Sequence, residues 1–106
     1  MSSIGEKQRR FTRMVADLIT WAYCQGYELT FGDAYRDPRC TYGVQYSNHR
    51  IRLAVDFNLF KDGGYLNKTE DHLPLGLFWE SMGGSWGGRF AQKDGNHYSL
   101  EHEGRR

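Results

Sequence analysis

Ser47-Asn48-His49-Arg50-Ile51-Arg52-Leu53-Ala54-Val55-Asp56 is the stretch on which the reading of this chain turns. Leu53, Val55, Phe57 and Leu59 alternate with Ala54, Asp56 and Asn58, the period-two pattern of a strand with one large apolar face. Asp56 therefore belongs to the face with small and polar neighbours. His49 stands seven positions earlier. That odd separation puts the two on opposite faces of a flat strand, so a bend is expected over Arg50 to Arg52. A second polar cluster, Asp94-Gly95-Asn96-His97-Tyr98, lies near the C-terminal end. Together the two stretches offer His49, Asp56 and His97 as metal ligands, with Asp94 as a spare carboxylate. Three protein ligands and one open position are the inventory of a catalytic zinc site. On spacing alone, two polar histidines satisfied at the edge of a core describe His49 and His97 better.

The rest of the chain is expected to frame these stretches. From about Glu6 to Cys24, Phe11, Met14, Val15, Leu18 and Trp21–Ala22 recur at helical spacing, with Glu6, Arg9, Arg13 and Asp17 mostly opposite. Such a stripe is core packing, and Gln25-Gly26 is a good helix stop. Tyr27 to Phe31 alternates as a half-buried strand. Phe60 to Leu66 reads as a hairpin around an Asp-Gly-type turn, continuing the sheet that carries Asp56. Asn67 to Leu73 reads as a polar loop with His72 solvated. A helix is expected from Pro74 through Met82, with Leu77 and Phe78 inward and Trp79 at the border. Trp86 to Phe90 is Gly-rich and reads as an irregular shaped loop, with Trp86 either covering the core or lining a cleft. Asp94 to Leu100 enters a last strand through a Gly-Asn turn, and the charged tail beyond it is expected to fray. His102 competes with His97 for the ligand role, but only His97 sits in the Asp-x-x-His-aromatic context.

The chain has 106 residues, which fits a single domain over 1–106. With 14 basic and 13 acidic side chains the formal net charge is +1, which gives no case for a nucleic-acid partner. Cys24 and Cys40 are too few for a disulfide framework; free thiols are expected, with a single bridge left open. No apolar run approaches the ~20 residues that span a bilayer, so no membrane insertion is expected. The first residues lack the apolar core of a signal peptide. The expectation is a chain made in the cytoplasm that would need help to reach a target outside it.

At these residues the sequence resembles the zinc D,D-carboxypeptidase and L-alanyl-D-glutamate peptidase family, whose members include bacterial carboxypeptidases and phage endolysins. Ser47, His49, Ala54 and Asp56 match its first motif; Asp94, His97 and Tyr98 match its second. Tyr35-Arg36 stands where the family carries an upstream Tyr-Arg pair. Leu75 to Glu80 and Trp86 to Phe90 resemble segments of phage members. Motifs in this order favour metal ligation over two unrelated histidines. Arg52 stands where many members carry Gly, which bears on the bend and the cleft.

The resemblance implies an α+β fold, with a small antiparallel sheet carrying one Zn²⁺ and helices flanking it, as in the Hedgehog and DD-peptidase folds. It implies His49, Asp56 and His97 as ligands, Asp94 as general base and Arg36 facing the developing oxyanion. For an arbitrary Arg, a surface pair with Asp33 or Asp37 would be favoured. Tyr35, Ser47 and Trp86 are possible substrate-side residues, and Ser47 serves equally as a cap before His49. The substrate implied is the peptidoglycan stem peptide, cut by a monomer acting at the wall, in the phage case after release through a holin pore. An L-alanyl-D-glutamate endopeptidase is the leading reading. A D-alanyl-D-alanine carboxypeptidase, or a non-catalytic zinc-containing binding module, is the alternative.

Overall fold

A computed structural model describes residues 3–32, 53–104 and 106. The first helix, α1, spans Ile4–Cys24. It starts earlier than the apolar stripe suggests because Ser3 caps it. The Ser3 hydroxyl accepts the Glu6 backbone N–H at 3.1 Å, the bond of a serine N-cap. Phe11, Met14, Leu18 and Ala22 form its buried stripe. It ends at Gln25, followed by Gly26 at φ +89°, a conformation that suits glycine.

Five strands follow: β1 (Tyr27–Phe31), β2 (Ala54–Lys61), β3 (Gly64–Leu66), β4 (Ser85–Trp86) and β5 (His97–Ser99). The sheet order is β1-β2-β5-β4, and β3 also pairs with β2. All pairings are antiparallel. The β2–β3 hairpin turns through Asp62 and Gly63, both at positive φ (53° and 79°), the conformation an Asp-Gly pair supplies. β2 is the central strand. One of its edges carries β1; the other is shared between β5 and β3.

Leu53, Val55, Phe57 and Leu59 are buried against α1, as their alternation requires. The second helix, α2, spans Leu73–Ser81 and closes the same core. Two expectations about it are corrected. Leu77 is half exposed, whereas Trp79 is fully buried, edge-on to Phe11 and Tyr98, with its indole N–H donating to the Ser99 carbonyl at 2.8 Å. A short helix that is apolar on nearly every side does not reveal its buried face by period. Each buried side chain of this size is worth about 1.5–3 kcal/mol.

Three other expectations change. The stretch before α2 is a 3₁₀ turn, Thr69–His72, and His72 is buried, not solvated. Trp86 to Phe90 is regular: Trp86 ends β4 and Gly87–Arg89 forms a 3₁₀ turn. The tail is tied back, with His102 Nδ1 lying 3.0 Å from Lys7 Nζ on α1.

Candidate metal and catalytic site

The register of β2 and β5 builds the site. Ala54 pairs with Ser99, Val55 with Tyr98, and Asp56 with His97. Directly opposed residues on antiparallel strands share a face, their Cβ atoms about 4.5–5.5 Å apart. Val55 and Tyr98 therefore point together into the core, while Asp56 and His97 point together out of it. His97 Nδ1 lies 3.3 Å from Asp56 Oδ1. His97 is 5 % exposed, and Phe90 covers it with ring centroids 5.4 Å apart.

Asp94 reaches the pair through a tight turn. The His97 N–H donates to the Asp94 carbonyl at 3.1 Å, and the Asp94 N–H donates to the Gly87 carbonyl at 2.9 Å. This fold-back depends on Gly87. A Cβ there would meet the Asp94 carbonyl oxygen at 2.1 Å and His97 Cβ at 2.8 Å. Asp56, Asp94 and His97 each present one donor atom, all within 4.8 Å of one another. Asp56 offers a hard carboxylate oxygen and His97 a borderline imidazole nitrogen, donors that fit Zn²⁺, with the Asp94 carboxylate beside them.

Trp86 is buried, and its indole N–H donates to the Gly95 carbonyl at 2.7 Å. It covers the core and braces the Asp94–Asn96 turn from beneath. Gly76 and Gly88 make room for its ring; a Cβ at either would come within 2.2–2.4 Å of ring carbons. Arg89 holds the neighbouring 3₁₀ turn to α2 through two contacts to the Glu80 carboxylate, at 3.0 and 3.2 Å. Hydrogen bonding to Glu80, and then its charge, raise the Arg89 pKa.

His72 was missed as a partner of this region. Its Nδ1 lies 2.7 Å from the Tyr98 hydroxyl, inside the protein. Burial lowers the His72 pKa to about 4, against the opposing pull of Asp71. Burial likewise raises that of Tyr98. Neither shift has a local sequence signal, because the two residues are 26 positions apart. His102, the rival of His97, sits away beside Lys7. Cys24 is exposed and free. Tyr35, Arg36, Ser47, His49, Arg52 and Cys40 lie outside the described residues, as does the expected bend over 50–52. Among the described residues, no helix is long and apolar enough to cross a membrane.

The chain is similar in structure to the L-Ala D-Glu endopeptidase ChiX of Serratia marcescens, with a TM-score of 0.69. The superposition covers 88 % of this chain and 79 % of that one, at 17 % identity, so it speaks for a shared α+β fold. No curated protein sequence matches. Residues 41–100 match the M15 peptidase family described as D-alanyl-D-alanine carboxypeptidase, a span that runs from the first motif through β5. On that match the chain belongs to the M15 peptidase family.

Proposed function

We propose that the protein is a zinc metallopeptidase that hydrolyses a peptide bond in peptidoglycan stem peptides, most specifically an L-alanyl-D-glutamate endopeptidase. The observation that carries this reading is the cluster of Asp56, His97 and Asp94. A strand register and a tight turn bring Asp56, His97 and Asp94 together, and the family motifs are the ground for assigning the first two as ligands and Asp94 as base. His49 is the third ligand on the strength of its motif. When bound, zinc polarises the scissile carbonyl and makes water beside it more acidic. Asp94 takes a proton from the attacking water on its carboxylate and returns it to the leaving amine. Arg36 is assigned to the oxyanion because of the Tyr35-Arg36 match. Tyr35 and Ser47 remain substrate-side assignments on the same ground.

The endopeptidase reading draws on the activity named for the Serratia protein and on the phage-like Leu75–Glu80 and Trp86–Phe90 segments. On the likeness of these segments to phage members, we infer a lysis enzyme that acts at the wall after release from the cytoplasm. A second reading, D-alanyl-D-alanine carboxypeptidase, is favoured by the description of the matching family.

Digestion of purified peptidoglycan, read by mass spectrometry of released fragments, separates them. New amino termini at D-glutamate, lost with chelator and restored by zinc, are the expected result. Release of terminal D-alanine would move the assignment to the carboxypeptidase. No release, with zinc confirmed bound by elemental analysis, would leave a binding module.

A further inference from the structure

A cleft of about 210 Å³ opens beside Asp94. Its walls come from two loops, the one joining β3 to α2 and the one leading into β5. The loops are in contact: a Cβ on Gly95 would meet Thr69 Cα at 2.6 Å. Lys68 and Asn67 line the cleft from the first loop, Lys93 and Asn96 from the second, and His72 lines it as well. Among the described residues, Asp94 is the one carboxylate in the lining, and it belongs also to the cluster with Asp56 and His97. Asp71, the nearby acid on the 3₁₀ turn, is engaged at the lip, where its Oδ2 accepts the Lys68 backbone N–H at 3.1 Å.

His72 adds a neutral donor. A phenol is a stronger acid than a neutral imidazole N–H, so the Tyr98 hydroxyl donates to His72 Nδ1 and the ring proton sits on Nε2. With Nδ1 taken, Nε2–H is the polar group the ring has left for the cleft. Two lysines, one histidine and two asparagines line a small space next to a candidate general base. That chemistry suits an anion with planar oxygens.

We propose that this cleft is a carboxylate subsite, in which Lys68 and Lys93 receive the free carboxylate of an acidic residue adjoining the bond to be cut. The proposal rests on the peptidase reading, because Asp94 ties the cleft to the reacting bond. In a γ-linked D-glutamyl peptide the α-carboxylate is the group in question. Substrates in which it is amidated lose the charge that the lysines meet.

The test measures binding to the zinc-loaded protein by NMR titration. The probes are γ-D-glutamyl-L-lysine amide and the same dipeptide with its glutamyl α-carboxylate converted to carboxamide. Both are product-side fragments, so no turnover intervenes. The acid form should bind about tenfold more tightly, as a charge-assisted contact does over a neutral one. In K68Q/K93Q the two forms should bind alike, and in K68E/K93E the order should reverse. Equal binding by the wild type, no binding of either form, or a preference that survives in K68Q/K93Q would overturn the subsite. Inorganic phosphate displacing the acid peptide with equal affinity would also overturn it, in favour of general anion attraction. Wall digestion separates the two readings. A carboxylate preference without cleavage leaves the subsite and removes the peptidase; cleavage without the preference does the reverse.

Discussion

Asp94 and His97 sit three positions apart yet face different surroundings. His97 is buried under Phe90, while Asp94 is exposed on the cleft side. A ligand gains from burial, since a shielded donor is held in place and kept from water. A general base gains from access, because it must meet water and leaving group in turn. Asp94→Asn keeps the size and removes the proposed base. Peptide hydrolysis should fall by about 10²–10⁴-fold. Zinc content by elemental analysis should stay at the wild-type level. Loss of the metal together with the activity would make Asp94 a ligand and leave the base to be found elsewhere. His97→Ala should instead lose the metal first, with activity following it.

The element that sets this geometry is the loop from Gly87 to His97, folded back on itself by the Asp94 N–H to Gly87 carbonyl bond. Gly87→Ala places a methyl where the Asp94 carbonyl stands. Backbone cannot swing aside as a flexible side chain can. The expected cost is about 1–3 kcal/mol of folding stability, as for other overpacked sites. Zinc affinity should fall with it, because the shift moves Asp94 and His97 directly. Gly5→Ala is the matched control: its Cβ would meet the flexible Arg9 Nη1 at 3.5 Å, and α1 gains a better helix former. Unfolding curves and zinc titrations of the two variants check the contrast. Equal zinc affinity in both would show that the fold-back does not position the donors. The β2 alternation, the Asp62-Gly63 turn and the α1 stripe are local patterns, and the structure keeps all three. The pairing of Asp56 with His97 is set by register across 41 positions, so only the motif match pointed to it. The burial of His72 and Trp79 depends on Tyr98, Phe11 and Ser99, distant residues that no local period announces.

For the molecule as a whole, the buried His72–Tyr98 pair couples folding to pH. In the folded protein burial lowers the His72 pKa to about 4; in the unfolded chain it returns to its ordinary 6.5. Above the unfolded value both states are neutral and the pair contributes fully. As pH falls from about 6.5 to 4, the unfolded chain takes up a proton that the folded protein refuses. Stability therefore declines through that window and levels off below it, where both states are protonated. The loss is on the order of 3 kcal/mol. Other groups titrate over the same range, so the comparison is with His72→Gln, whose amide still reaches the Tyr98 hydroxyl but carries no titrating proton. Urea unfolding from pH 7 to 4.5, in chelator so that protons do not compete with metal for the cluster, should show the wild type losing more stability than the variant. Parallel profiles would mean that His72 opens to solvent before the protein unfolds. A floor that opens this way could not hold the Nε2–H donor in place for a ligand. The pH profile thus tests the rigidity of the same wall that would receive the substrate.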